Sequence, residues 1–251
     1  MAGHNKWSKV KRLKGALDAK RGKLFSKLAK EITLAAKTGG GSPEGNPRLR
    51  SAMLAARSVS MPNDNIDRAI KRGTGAGDAD LRIEELTYEG YGPAGVALVI
   101  EAATDNRNRT AQELRTILSK HGGNLATSGA VMFQFKHKGQ ITVPKNAASE
   151  DRVLEVALES GADDVNSGEE HHVIITPHDQ LYAVGDSLKR VGLEPDSMKL
   201  TYLPENTVAV TDAAAAAQFI RLSEALEDND DVQNVHANAE MPEEVLALIG
   251  V

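Results

Sequence analysis

The chain has 251 residues, 41% of them hydrophobic, and a formal net charge of -5 at pH 7. This composition is typical of a globular protein of two or three domains and excludes a wholly disordered one. The absence of cysteine excludes disulfides, thiolate zinc sites and cysteine nucleophiles. No apolar run reaches the roughly 18 residues that a membrane span requires.

The small net charge conceals an uneven distribution along the chain. Residues 1–72 contain 17 Lys and Arg against 5 Asp and Glu, whereas the remaining residues contain 13 against 30. A long segment with this excess of Lys and Arg favours a phosphate backbone as its partner. A merely solvated charged surface is the alternative interpretation.

The N-terminal part predicts a basic arm followed by three helices. Residues 3–15 have a cation at nearly every second position and too few apolar groups to fold alone. Residues 16–37 place apolar side chains at helical spacing opposite a basic face. Asn46 and Pro47 have the residue types of an N-cap and a first helical position, and Gly73 ends the third helix.

From residue 78 onward the pattern alternates between strands and helices. Residues 139–203 follow the order β-α-β-β-α-β of a ferredoxin-like unit. Segments 96–136 and 207–237 each supply half of a second unit, in which Val131, Phe133 and Phe135 share one face of a half-buried strand.

These patterns predict an α+β, multidomain fold. It has an N-terminal three-helix domain followed by two ferredoxin-like α/β domains, the last inserted into the middle one. The predicted domains are residues 1–77 for the arm and helices, 78–138 with 204–251 for the discontinuous domain, and 139–203 for the inserted one.

The arm and the first helix carry the strongest functional signal. Their cations are suited to phosphate contacts, which contribute affinity without sequence information. Trp7 either stacks on an unpaired base or caps the small helical core, and both alternatives stay open. The candidate residues are Lys6, Trp7, Lys9, Lys11, Arg12, Lys14, Lys20, Arg21, Lys23 and Lys27.

A second candidate site spans Thr104 to Thr110. A strand end followed by a helix start would aim free N–H groups at one point, where Arg107 and Arg109 add positive charge. Thr110 and Glu113 have the spacing of a capping box that opens this helix. A purely structural loop is the alternative. Residues 88–95 are interpreted as a glycine-rich turn before a strand.

One alternative function comes from an acidic cluster near the C-terminus. Carboxylates in this arrangement could bind magnesium and support a metal-dependent nuclease, although acidic surface turns are commoner than metal sites. The cluster consists of Glu224, Glu227, Asp228, Asp230 and Asp231. No nucleophile, base and orienting residue form a credible catalytic set.

Eight short motifs, in order and spacing, resemble the YebC family over the whole chain. They are Ala2–Trp7, Asp18–Lys23, Asn46–Arg50, Met61–Ile66, Tyr88–Pro93, Thr104–Thr110, Ser119–Asn124 and Asp230–Val235. The resemblance implies a helical N-terminal domain with two α/β domains. It also implies a function on nucleic acid: bacterial members are described as DNA-binding transcriptional regulators and organellar relatives as translational activators of cytochrome oxidase. The family is further linked to ribosome-associated help for peptide-bond formation at proline runs.

We therefore expect a non-enzymatic nucleic-acid-binding regulator, with DNA or rRNA, and through rRNA the ribosome, as its partner. The absence of a recognisable major-groove reading helix makes folded RNA the physically better target. We expect a monomer with no cofactor, no metal and no membrane contact. The first motif begins at Met1, which favours the bacterial cytoplasmic form of the family.

Overall fold

The computed structural model describes residues 19–75 and 83–250. The first segment folds into three helices, as predicted. They are α1 (Ala19–Gly39), α2 (Pro47–Ser58) and α3 (Asn63–Gly73). The turn after α1 contains Gly40 at a φ of 85°, a left-handed conformation that favours glycine.

Asn46 does more than the helix cap that the sequence predicts. Its Oδ1 accepts the N–H of Leu49 at 3.0 Å, which is the N-cap bond of α2. Its amide nitrogen donates to the carbonyls of Ala35 and Gly40, both at 2.8 Å. The side chain is 4% exposed, so one buried amide joins the start of α2 to the end of α1.

The remaining chain forms two antiparallel four-stranded sheets, one two-stranded ladder and five more helices within the described residues. In chain order these are β1 (Glu84–Tyr91), β2 (Ala97–Thr104), α4 (Arg107–Lys120), β3 (Asn124–Leu125), β4 (Phe135–Pro144), α5 (Glu150–Glu159), β5 (Asp164–Ser167), β6 (His171–Pro177), α6 (Leu181–Arg190), β7 (Ser197–Pro204), β8 (Val208–Ala209), α7 (Ala213–Glu227), β9 (Val232–Ala237), β10 (Ala239–Glu240) and α8 (Glu243–Leu248). The α+β class predicted from the sequence is confirmed.

The first sheet has the strand order β3-β1-β2-β9. Its core lies against α4 and α7, where Leu98, Leu114 and Phe219 are fully buried. The second sheet has the order β5-β6-β4-β7, and α5 and α6 pack on it around Ile141 and Val153. This second order, with its β-α-β-β-α-β connections, is the ferredoxin-like arrangement predicted for residues 139–203.

Two details of the first sheet differ from the prediction. Residues 84–91 form strand β1, whereas the sequence assigned 88–95 to a turn. Gly90 is typical of a turn, but here it lies within the strand. A Cβ at this position would lie 2.9 Å from the carbonyl oxygen of Asn124, so the glycine permits close approach of β3. Residues 132–134 form a 3₁₀ turn instead of a strand, which places Phe133 outward.

The described residues fall into two compact units. One contains residues 19–30, 83–136 and 203–250, and the other contains residues 31–75 and 137–202. Compact units differ from independently folding domains, so the predicted domain boundaries stay a prediction. None of the helices in the described ranges combines the length and apolar character that a transmembrane segment needs.

We predict that Asn46→Ala lowers the free energy of unfolding by about 2 to 3 kcal/mol, because it removes the N-cap bond of α2 and both hydrogen bonds to the end of α1. Urea denaturation followed by circular dichroism measures the loss. Ser149→Ala is the matched control, since Ser149 is an exposed N-cap with one side-chain bond, to the N–H of Arg152. Equal losses in both variants would contradict the added role of Asn46.

Candidate nucleic-acid interface

A buried carboxylate organises the region that contains the predicted arginines. Asp231 lies in the turn between α7 and β9 and is 5% exposed. Its Oδ1 accepts Lys30 Nζ at 2.9 Å, and its Oδ2 accepts Arg109 Nη2 at 2.9 Å. The hydroxyls of Thr110 and Thr104 donate to the same Oδ2 at 2.8 and 3.1 Å. We call these five residues the Asp231 cluster.

The charge of Asp231 is stabilised strongly by its partners. Burial by itself raises the pKa of this carboxyl, but hydrogen bonds from Lys30, Arg109 and Thr110 outweigh it and lower the pKa from 3.8 to about 2. Asp231 is therefore ionised at neutral pH and holds Lys30 and Arg109 in place.

The lysines of α1 contact the end of α7. Lys23, Lys27 and Lys30 lie on one helical face, and each ammonium donates to a main-chain carbonyl there. The bonds run from Lys23 to Asp228 at 3.1 Å, from Lys27 to Glu227 at 2.5 Å and from Lys30 to Asp230 at 2.8 Å. Carbonyls at a helix C-terminus carry partial negative charge, so this face of α1 already has anionic partners within the protein.

At the second candidate site, residues 104–110, the helix starts earlier than its sequence pattern predicts. Helix α4 begins at Arg107, and its N-cap is Asn106, four residues before the predicted cap Thr110. Thr110 instead lies inside the helix and donates to Asp231. The two arginines therefore differ: Arg109 also contacts Asp105 at 2.9 Å, whereas Arg107 is 66% exposed and lies 3.6 Å from Glu84.

A groove of about 440 Å³ brings two predicted cations together with acidic residues. Its lining is Lys23, Arg109, Glu113, Asp228, Asn229, Asp230 and Asp231. Four carboxylates against two cations make the lining negative overall, which disfavours a phosphate inside the groove. The exposed Arg107 is the cation of this region that is best placed for an external anion.

The other predicted cations are not placed by the structure. Six of the candidates, Lys6, Trp7, Lys9, Lys11, Arg12 and Lys14, lie outside the described residues. The main chain of Lys20 and Arg21 is helical in α1, while their side chains also lie outside the description. Their roles in phosphate contact stay predictions.

A basic surface that the sequence reasoning did not select lies on α3 and the end of α2. Arg57, Arg68, Lys71 and Arg72 are all exposed, and none of the four makes an ion pair with a described residue. The sequence pattern could have predicted this surface, since Arg68, Lys71 and Arg72 have the i, i+3 and i+4 spacing of one helical face. This surface adds cations to the N-terminal segment.

The structure gives the nuclease alternative no support. Asp231 is occupied by Lys30 and Arg109, and no three His, Asp or Glu side chains in residues 19–75 and 83–250 converge as metal ligands. The acidic turn instead serves as the docking surface of the α1 lysines.

Comparison with known proteins gives two matching family models. One, described as the TACO1/YebC protein N-terminal domain, matches residues 5–76. The other, described as the TACO1/YebC second and third domain, matches residues 83–239.

Curated relatives match over nearly the whole chain. A "Probable transcriptional regulatory protein" of Opitutus terrae is 52% identical over 98% of this chain and 99% of its own. Another of that name, from Aquifex aeolicus, is 48% identical over the full length of both chains. The crystal structure of a conserved hypothetical protein from Aquifex aeolicus superposes with a TM-score of 0.85 at 49% identity, covering 93% of this chain and 96% of that one.

We predict that Asp231→Asn lowers the free energy of unfolding at pH 7 by about 2 kcal/mol, the equivalent of the depressed pKa. The pKa is lower in the folded state, so this stabilisation is complete above about pH 4 and is lost as the pH falls toward 2. The difference between wild type and variant should shrink over that interval.

Unfolding curves at pH 7, 4 and 3 measure this effect. Asp230→Asn is the matched control from the same turn, because the carbonyl of Asp230, not its carboxylate, accepts from Lys30. Equal stability of the two variants at pH 7 would refute the role assigned to Asp231.

Proposed function

The chain belongs to the TACO1/YebC family, and on that premise we propose that it is a non-enzymatic, nucleic-acid-binding regulator of gene expression. The relatives' name, "Probable transcriptional regulatory protein", supports regulation. The observation that carries the binding function is the concentration of positive charge in residues 1–72.

The contacts of α1 support two different roles for these cations, one in holding the helix and one in binding phosphate. Lys23, Lys27 and Lys30 have anionic partners on the acidic turn, so they hold the helix in place. Residues 1–30 contain one acidic residue, Asp18, so the cations of the arm have almost no acidic neighbour along the chain. The arm is therefore the segment that gains most from an external phosphate backbone.

The exposed cations of α3 are a second candidate for phosphate contacts. Arg68, Lys71 and Arg72 are separated from the arm in sequence but have the same sign and are free of described ion pairs. Contacts of this kind contribute affinity through phosphates and do not read bases. Folded RNA with unpaired bases is the target that this chemistry fits best, and duplex DNA is the alternative that the binding test decides.

We predict that replacing Lys6, Lys9, Lys11, Arg12 and Lys14 together by Gln weakens RNA binding about tenfold or more at low salt. The slope of log affinity against log salt should become shallower by up to about 3.5, at 0.7 per lost single-strand contact. Fluorescence anisotropy with a labelled RNA hairpin and a duplex DNA of equal length measures both quantities.

A charge-matched control replaces five cations elsewhere by Gln: Lys120, Arg152, Lys189, Arg190 and Arg221. This control should bind like wild type, apart from a small change in the long-range field. Equal losses in the two variants would mean that net charge, and not the arm, determines binding. Tighter binding to the duplex DNA would assign the protein to DNA.

A second prediction concerns the ribosome. If rRNA is the target, the protein should co-sediment with ribosomes at low salt and dissociate at high salt, because phosphate contacts are salt-dependent. Sucrose-gradient fractionation of a lysate, with immunodetection of the protein, checks this. Absence of ribosome association at low salt would favour the transcriptional role.

A further inference from the structure

Phe133 is the feature of the described chain that its packing leaves unexplained. The sequence pattern placed Val131, Phe133 and Phe135 on one buried face. Val131 is fully buried and Phe135 is 7% exposed, but Phe133 is 73% exposed. Exposing a phenyl ring to water costs free energy, so a local departure from the pattern points to function.

The ring is presented by a 3₁₀ turn, residues 132–134, that a buried carboxylate holds in place. Glu89 on β1 is 5% exposed and lies on the sheet face opposite Tyr88. Its carboxylate accepts three main-chain N–H groups, from Gly129 at 2.5 Å, Val131 at 2.7 Å and Met132 at 2.8 Å. The loop before Phe133 is therefore fixed to the sheet by one side chain.

The charge of Glu89 is favourable only because of these bonds. Burial alone raises the pKa of this carboxyl, but the N–H donors of Val131, Gly129 and Met132 outweigh burial and hold the pKa below its usual value. Deletion of any of these contacts would leave a buried charge poorly solvated, so the loop conformation and the ionised Glu89 depend on each other.

Three further bonds hold the same loop on both sides of the ring. The hydroxyl of Tyr91 donates to the carbonyl of Ala130 at 3.1 Å. The side-chain amide of Asn238 donates to Oε1 of Gln134 at 3.1 Å. The main-chain N–H of Glu205 donates to the main-chain carbonyl of Gln134 at 2.8 Å. An exposed ring on so fixed a loop loses little conformational freedom when it binds a ligand.

We propose that Phe133 is a stacking platform for an unpaired nucleobase, with Glu89 as the residue that positions it. This inference rests on the proposed nucleic-acid-binding function and names the base-contacting residue of that function. Aromatic side chains stack on any base, since every base has a π face, and this contact needs no hydrogen-bond reading.

The type of side chain that is exposed here favours a base as its partner. Phe133 is the one exposed Phe, Tyr or Trp side chain among residues 19–75 and 83–250, and the other exposed large hydrophobic side chains there are aliphatic. An aromatic ring offers a base a face to stack on, which an aliphatic side chain does not. The neighbours of Phe133 in the loop include the exposed Thr127 and Ser128, and Lys136 follows three residues later with its side chain 62% exposed. Lys136 contacts Glu205 at 2.7 Å and so has an anionic partner within the protein, which leaves stacking as the contact that carries the proposed affinity.

The test compares Phe133→Ala, Phe133→Trp and wild type in binding a 20-nucleotide single-stranded RNA that contains 2-aminopurine. Stacking predicts that Phe133→Ala loses roughly 5- to 150-fold in affinity for this strand. Phe133→Trp should retain the affinity, and the 2-aminopurine emission should change on binding to wild type and Phe133→Trp. The salt slope should stay the same in all three proteins, because no phosphate contact is removed.

Two further variants separate positioning from general damage. Glu89→Gln should weaken single-strand binding like Phe133→Ala and accelerate hydrogen exchange at the amides of residues 129, 131 and 132. Thr127→Ala is the matched control from the same loop, and it should change neither quantity. Because the side chain of Phe133 is exposed, Phe133→Ala should keep the unfolding midpoint of wild type.

The outcomes distinguish this inference from the proposed function. Salt-dependent RNA binding that is equal in Phe133→Ala and wild type would overturn the stacking role and leave the proposed function intact. No RNA binding by wild type at low salt would overturn both. Loss of ribosome co-sedimentation in Phe133→Ala, with unchanged affinity for the RNA strand, would show that the ring contacts a protein instead.

Discussion

The ionised carboxylate of Asp231 is the interaction on which the arrangement of the first compact unit depends. It receives Lys30 from α1, Arg109 and Thr110 from α4, and Thr104 from the end of β2. A buried carboxylate is stable only while its donors stay in place, so these elements are fixed relative to the start of β9. Within the protein, the negative charge of the turn after α7 therefore takes the place of an external anion for these cations.

That negative charge divides the basic residues into two groups. The α1 lysines nearest the turn are satisfied by it, since their ammonium groups meet carbonyls and carboxylates within the protein. The cations of the arm have one acidic residue, Asp18, nearby in the sequence, and Arg68, Lys71 and Arg72 of α3 are exposed. Positive charge in one continuous stretch of sequence thus serves both structural attachment and, as proposed, phosphate binding.

Glu89 and Asp231 show how similar buried carboxylates can have different tasks. Asp231 accepts mostly from side chains and joins separate elements. Glu89 accepts three main-chain N–H groups and shapes one loop. Both have a lowered pKa despite burial, because donors concentrate around them. The first holds α1 and α4 against the start of β9. The second supports the proposed base contact.

Local patterns in the sequence were sufficient for much of the fold. The apolar spacing of α1, the Asn46-Pro47 start of α2 and the β-α-β-β-α-β order of residues 139–203 were all predicted correctly, and the family followed from short motifs. These features depend on propensity, capping and periodicity, which act over a few residues.

Contacts between distant residues decided the rest. Lys30 meets Asp231 across some 200 positions, Glu89 captures amides 40 to 43 residues away, and β3 approaches Gly90, so no local pattern reveals these partners. The sequence by itself therefore determined the class of fold, the family and the sign of the N-terminal charge. Only the tertiary structure decided which cations are neutralised internally and which aromatic ring faces solvent, because both depend on where remote carboxylates are buried.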